Sequence, residues 1–158
     1  MKHLTLIRHA SASWIQGQSD QQRTLTAKGK LECVALAQQL KNRQWLPDQL
    51  KVSPAVRTQT TAAILYETLP EQISIVTVDT IYEAHFKILM NIVRQTADNL
   101  NHLCLVGHNP GLSELASDLT CQHPVNMSPG NAVQFRFETD QWDSITENAG
   151  QPTFFLTP

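Results

Sequence analysis

Three short stretches carry residue types suited to chemistry on an anion. The first is Leu4-Thr5-Leu6-Ile7-Arg8-His9-Ala10, an apolar run that stops abruptly at an arginine and a histidine. A guanidinium can grip two anionic oxygens at once, and a neutral imidazole beside it can attack phosphorus or accept a proton. The second is Ser53-Pro54 followed by Arg57. The third is Leu103-Cys104-Leu105-Val106, which ends in Gly107-His108-Asn109-Pro110-Gly111. Glycines 107 and 111 would let backbone approach a ligand closely. Singly, each residue has a plain structural explanation. An arginine can be an ion pair at a strand end or a solvated helix residue, and a histidine can sit on the surface or bond to loop backbone. Their matching positions, each just past an apolar run or at a helix start, favour a shared phosphate pocket.

The elements that would position them follow from the apolar pattern. Runs 4–7 and 103–106 read as buried strands whose C-terminal ends open into a crevice, where ligands sit in open α/β sheets. His9 is thereby expected at a solvent-accessible strand end. Residues 11–23 are polar, contain Gly17 and read as a loop. Thr26 can cap a helix running to about Arg43, with Leu31, Val34, Ala35 and residues 37–40 as its apolar stripe. Leu50 to Val52 reads as a second strand. Ser53 as cap and Pro54 in the first turn would open a helix carrying Arg57, Thr60, Ile64 and Leu65. Arg57 then lies at a helix N-terminus, which adds partial positive charge. Residues 73–78 suggest a third strand. Tyr82-Glu83-Ala84 leads into a helix from Phe86 to about Leu100, with Ile88, Leu89, Ile92 and Val93 inward. Another helix covers 112–119. Val133, Phe135 and Phe137 alternate as a strand, Thr139-Asp140-Gln141 reads as a hairpin turn before Trp142, and residues 153–156 as a last edge strand. This alternation predicts one α/β domain over residues 1–158, a three-layer α/β/α sandwich around a mostly parallel sheet.

Composition narrows the partners. The chain has 158 residues, 41% hydrophobic and 16% charged, with a net charge of −2. That balance carries no general footprint for nucleic acid or an anionic membrane, so positive charge must be concentrated locally. Cys33, Cys104 and Cys121 form no Cys-x-x-Cys pair and read as buried reduced thiols of a cytoplasmic protein. Arg8 breaks the early apolar run too soon for a signal peptide, and no stretch is long enough to span a membrane. No Gly-x-x-x-x-Gly-Lys loop, Gly-x-Ser-x-Gly elbow or Asp-x-Asp pair is present, and no arginine stands six residues after a cysteine. His3, His9, His85, His102, His108 and His123 lack tight ligand spacing. Zinc on His9 and His108 would be opposed by the arginines. No metal and no cofactor is expected.

These motifs resemble a known family. Leu6-Ile7-Arg8-His9-Ala10 resembles the Arg-His-Gly signature of the histidine phosphatase superfamily, whose fold is phosphoglycerate mutase-like. Arg23-Thr24-Leu25-Thr26 with Gly29, Val52-Ser53-Pro54 with Arg57 and Thr60, Tyr82-Glu83-Ala84, and Val106-Gly107-His108-Asn109-Pro110 resemble its small SixA-type branch, the phosphohistidine phosphatases. The match runs in order from Leu4 to about Leu119, and Ala10 stands where the signature has glycine. The resemblance implies that His9 is a nucleophile that becomes transiently phosphorylated. It implies that Arg8, Arg57 and His108 hold the phosphoryl oxygens with help from Arg23. Glu83 then lies where larger relatives carry an acid for the leaving group. The activity implied is a metal-independent phosphatase acting on a phosphohistidine-containing protein in signal transduction. Few residues are available to roof the cleft: 11–22 is one candidate and 81–85 is too short to cover much, and an open cleft suits a side chain presented by a protein better than a small ligand. A phosphomonoesterase for a small metabolite on the same scaffold stays open. So does a non-catalytic phosphate-binding module, although binding alone would not need the nucleophile.

Overall fold

Both faces of the middle strands are apolar because both faces are covered. In a computed structural model, which describes residues 1–122 and 124–158, β1 (Lys2–Arg8) lies beside β4 (His102–Gly107). Leu4, Leu6 and Ile7 of the first and residues 103–106 of the second are fully buried. β2 (Gln49–Val52), β3 (Ser74–Thr77), β5 (Ala132–Phe137) and β6 (Gln151–Leu156) complete a six-stranded sheet in the order β3-β2-β4-β1-β5-β6. The first four strands in that order are mutually parallel, β5 runs antiparallel to β1, and β6 runs antiparallel to β5. Side chains alternate across β1, so its neighbours divide between two layers. Leu4 and Leu6 pack with α3 (Phe86–Arg94) and α4 (Gly111–Leu119), while Ile7 packs with α1 (Ala27–Asn42) and α2 (Val56–Tyr66). The three-layer sandwich around a mixed, predominantly parallel sheet matches the fold class expected from the sequence.

Several local expectations change. In α1 the buried positions are Gly29, Cys33, Leu36, Ala37 and Leu40, whereas Leu31 and Val34 are 71% and 57% exposed. Apolar residues stand on both sides of this helix, so periodicity alone could not choose the inner face. α2 is preceded by Ala55, which gives no side-chain cap, and Ser53 faces the strand ends instead. α3 stops at Arg94, and Ile88 is exposed while Met90 is buried. Trp142 sits in a short 3₁₀ turn (Trp142–Ser144), fully buried, and no strand begins there. Its indole NH donates to the Leu100 carbonyl (2.8 Å), so it plugs the end of the layer rather than closing a tight hairpin. Cys33 and Cys104 are buried thiols, but Cys121 is exposed. His123 lies outside the described residues. None of the described helices is long and apolar enough to cross a membrane.

The start of α1 braces the segment that leaves β1. Thr26 caps the helix by accepting from Gly29 N (2.9 Å), and its own backbone N donates to the Ser11 carbonyl (3.0 Å). Glu32, one turn on, accepts from the Ser11 N (2.9 Å) and hydroxyl (2.7 Å). This close approach is possible only because residue 29 has no side chain: a Cβ there would lie 2.1 Å from the Ser11 carbonyl oxygen. Helix propensity alone favours Gly29→Ala by about 1 kcal/mol. The clash with a backbone oxygen opposes it, and overpacking of this kind costs about 1–3 kcal/mol. Gly29→Ala is therefore expected to lower the urea midpoint. A raised midpoint would show that the brace yields without cost.

Candidate active site

The chain leaves β1 toward α1 on one face and leaves β4 toward α4 on the other. A crevice opens between adjacent parallel strands whose connections diverge in this way. The register pairs Arg8 with Gly107, so the next residues, His9 and His108, face each other across the crevice. Their ring centroids are 5.2 Å apart. Arg57, in the first turn of α2, reaches both. Glycines 107 and 111 serve packing rather than ligand approach. A Cβ on Gly107 would press on Ile81 (3.1 Å), and one on Gly111 would sit 2.1 Å from the Ala84 carbonyl oxygen.

Hydrogen bonding fixes the tautomer of each imidazole. His9 Nδ1 lies 2.7 Å from the Ala10 carbonyl oxygen, which can only accept, so Nδ1 carries the proton. Its Nε2 receives the Arg57 Nε–H at 3.3 Å and holds a lone pair. His108 has the opposite arrangement. Its Nδ1 faces Arg57 Nη2 at 3.3 Å, a group that can only donate, so its Nε2–H donates to Ser53 Oγ (2.7 Å). His9 is only 8% exposed, more enclosed than an open strand end would leave it. Burial, with Arg57, Arg8 and Arg23 nearby, lowers its pKa from 6.5 to about 4 despite the Ala10 carbonyl. Burial and then the neighbouring His9 and Arg57 lower His108 to about 3. Both rings are neutral near pH 7.

The remaining charged groups divide into two sets. Arg8 donates from Nη1 to the Met127 carbonyl (2.8 Å), but its buried Nε–H has no partner among the described residues. A buried donor of this kind calls for a partner. Arg23 is tied to the Ser13 carbonyl (2.9 Å) and to Asp20 Oδ1 (3.1 Å), and its guanidinium stacks on Trp14 at 3.8 Å. Asp20 joins this set to the clamp: its Oδ2 accepts from Arg57 Nη2 (3.0 Å) and from the Tyr82 hydroxyl, and its carbonyl from Arg57 Nη1 (2.6 Å). The Tyr82 hydroxyl, with Arg23 and Arg57, holds the Asp20 carboxyl well below the usual carboxylate range. Tyr82 in turn is pushed up to about 12 by that bond, and its ring stands edge-on to His108 at 5.6 Å. Glu83 does not join. It is exposed, has φ +52°, and makes no side-chain hydrogen bond among the described residues.

The structure thus brings Arg8, His9, Arg57 and His108 together, with Arg23 at the edge through Asp20; among the described residues Glu83 makes no hydrogen bond to them. Asp20, Ser53, Thr61 and Tyr82 were missed as members of the site. Thr61, not the motif's Thr60, ties the helix to the strand end: it accepts from Ala10 N (3.3 Å) and donates to the Arg57 carbonyl (2.8 Å). The one sequence signal for Asp20 was an acid three residues before Arg23 in a polar loop, which alone is weak. Among the described residues no three His, Cys, Asp or Glu side chains are grouped to hold a metal ion.

Two expected outcomes follow from this geometry. Arg57→Lys supplies a point charge that cannot reach His9, His108 and Asp20 at once. Turnover of an aryl phosphate should fall about a hundredfold, the effect of losing one clamp donor; a near-normal rate would reduce Arg57 to general positive potential. The second concerns acid. His9, His102 and His108 are held at about 4, about 4 and about 3, against 6.5 when unfolded. Below pH 6.5 the unfolded chain binds protons that the folded chain does not, so stability is full above that value and falls toward pH 4. Urea midpoints measured in steps across this window should decline, and a flat profile would contradict the neutral assignment.

Comparison with known proteins supports this picture of the fold. A candidate phosphohistidine phosphatase SixA from Agrobacterium tumefaciens superposes with a TM-score of 0.86 at 22% identity, over 99% of this chain and 98% of that one. The protein histidine phosphatase SixA complexed with tungstate superposes at 0.84 and 18% identity, over 99% and 97%. A phosphoserine phosphatase from Entamoeba histolytica, in complex with 3-phosphoglyceric acid, gives 0.69 and 18%, over 100% and 98%. At these identities the likeness establishes the phosphoglycerate mutase-like architecture. The family model of the histidine phosphatase superfamily (branch 1) matches residues 4–115, a span that holds Arg8, His9, Arg57 and His108. With the larger part of its length matched by that model, the chain belongs to the histidine phosphatase superfamily, branch 1.

Proposed function

We propose that this chain is a phosphohistidine phosphatase that works through a phosphorylated His9. The observation that carries the reading is the state of that ring: neutral, with its Nε2 lone pair beside a guanidinium and its Nδ1–H held by the Ala10 carbonyl. Phosphoryl transfer needs positioning and charge stabilisation more than covalent machinery. The Nε2 lone pair attacks phosphorus while the bond to the leaving group breaks. Arg57 exchanges its long contacts with the two imidazoles for phosphoryl oxygens, and the free Nε–H of Arg8 takes another. His108 Nδ1 is an acceptor in the present arrangement, so it takes up a proton before donating to the bound dianion, which raises its pKa. In the second step water attacks phosphorus, the bond to Nε2 breaks, and His9 returns to neutral with its Nδ1–H in place.

A protein substrate is supported by the shape of the rim. The loop from Ser11 to Gln22 stands beside the cleft and carries Trp14 and Ile15, 75% and 57% exposed. A neighbouring pair of exposed apolar side chains suits contact with a macromolecule. The likeness to a phosphoserine phosphatase keeps a small phosphorylated metabolite as the competing substrate.

The test compares kcat/KM for a phosphohistidine protein with that for phosphoserine, phosphoglycerates and sugar phosphates under one set of conditions. The phosphohistidine protein should be the best substrate, and acid-labile label should accumulate on the wild type and vanish in His9→Ala. Label on serine or cysteine would sink the mechanism. A metabolite that outperforms every phosphohistidine protein by orders of magnitude would overturn the substrate class.

A further inference from the structure

Asp20 has no part in the scheme above, yet it is bound into the centre of the clamp. Its Oδ2 accepts from Arg57 Nη2 and the Tyr82 hydroxyl, and its Oδ1 from Arg23 Nη1. A carboxylate inside an anion site weakens the binding of phosphate, so its presence calls for another reason. Its side chain is 35% exposed, and of roughly four lone-pair sites on a carboxylate these three donors leave one, on Oδ1.

Position suggests what that free site does. The Arg57 guanidinium runs from Nε on His9 to its Nη atoms on Asp20. Displacement at phosphorus is in line, with attacking and leaving atoms on opposite sides. A phosphoryl group lying along the guanidinium with phosphorus toward His9 Nε2 therefore has its leaving atom at the Asp20 end. The chemistry of phosphohistidine then matters. With a neutral ring it must expel an imidazolide anion, a poor leaving group. Protonated on the ring nitrogen away from phosphorus, it expels neutral imidazole.

We propose that Asp20 is the leaving-group residue for phosphohistidine: its carboxylate accepts a hydrogen bond from the distal ring N–H of the substrate and so favours the protonated ring. The proposal rests on the phosphohistidine reading and deepens it. In the step itself, the substrate's P–N bond breaks and its electron pair goes to the departing nitrogen. A P–N bond to His9 Nε2 forms. The distal proton stays on the substrate ring, which leaves as neutral imidazole, and His9 keeps its Nδ1 proton. No separate proton donor is consumed. The same logic is built into the protein's own ring. The Ala10 carbonyl accepts from His9 Nδ1–H and favours the cationic phosphoimidazole that water then attacks. The Asp20 charge also disfavours leaving groups that carry a carboxylate of their own.

N-phosphorylimidazole and p-nitrophenyl phosphate share a phosphoryl group and differ in the leaving group, and only the first has a ring N–H to give. Asp20→Asn keeps the shape and an acceptor oxygen but removes the charge. The ratio of kcat/KM on phosphorylimidazole to that on p-nitrophenyl phosphate is expected to fall about tenfold or more in Asp20→Asn, the effect of one charge-assisted hydrogen bond. Circular dichroism checks the fold, and Asp20→Ser, which also removes the charge, gives the same fall should the asparagine variant not fold. Equal losses on both substrates would make Asp20 a brace for Arg57, overturning the proposal while the phosphohistidine reading stands. A wild type that turns over the aryl phosphate but neither phosphorylimidazole nor any phosphohistidine protein would overturn that reading, and this proposal with it.

Discussion

The site depends on how one guanidinium is held. Arg57 points Nε at His9, one edge of its Nη pair at His108, and the other edge at the carboxylate and carbonyl of Asp20. The bonds to Asp20 are 2.6 and 3.0 Å, and those to the imidazoles are both 3.3 Å. The outer edge is therefore anchored strongly and the inner edge weakly. A phosphoryl group can displace the inner contacts without disturbing the anchor, which is what a preorganised oxyanion site requires. Everything that fixes Arg57 serves this division. The first turn of α2 sets its Cα, Thr61 ties that turn to the end of β1, and Tyr82 and Arg23 hold Asp20 from the other side.

Keeping one buried and one half-buried histidine neutral beside the arginines follows from the same arrangement. Burial penalises the charged imidazolium, and the arginines penalise it further, so the lone pairs survive at neutral pH. One ring is oriented by a backbone carbonyl and the other by the Ser53 hydroxyl. These partners set opposite tautomers, which differentiates two residues that look alike in the sequence. Perturbed titration concentrated in one crevice is characteristic of functional sites. His102 gives the structural counter-example. Its Nε2 lies 2.8 Å from the Thr5 hydroxyl, which also accepts from the Trp45 indole, in a buried polar knot within the layers.

The sequence made the frame legible because the frame is written in apolar runs. Residues 4–7 and 103–106 are strands buried on both sides, and that pattern survives without context. Arg8, His9, Arg57 and His108 could be placed because they follow those runs or open a helix. The rest depends on contacts between distant segments. Ser53 looked like a cap because serine before proline usually is one, but Pro54 and Ala55 separate it from α2, and its hydroxyl found His108. α1 presents apolar residues on two sides, and the glycine that lets Ser11 approach decided which side faces in. Asp20 sits in a polar loop whose composition is that of any loop, and its partners arrive from Arg57 and Tyr82. In the motif Tyr82-Glu83-Ala84 it is Tyr82 whose hydroxyl bonds Asp20, while Glu83 has a left-handed backbone.

The place of β1 in the sheet has a bearing on biosynthesis. It is the earliest strand in the chain, yet its sheet neighbours are β4 and β5, with His3 opposite His102 and Lys2 opposite Phe137. At about 5–20 residues per second on the ribosome, the strand waits several seconds to tens of seconds for them. Throughout that interval its apolar side chains and both of its hydrogen-bonding edges lie open to solvent or to a chaperone. Pairings this distant in sequence are slow to form. His9 is thus synthesised well before β4 and β5, the strands that flank its own, so that a nascent chain lacking β5 cannot yet hold its imidazole in place.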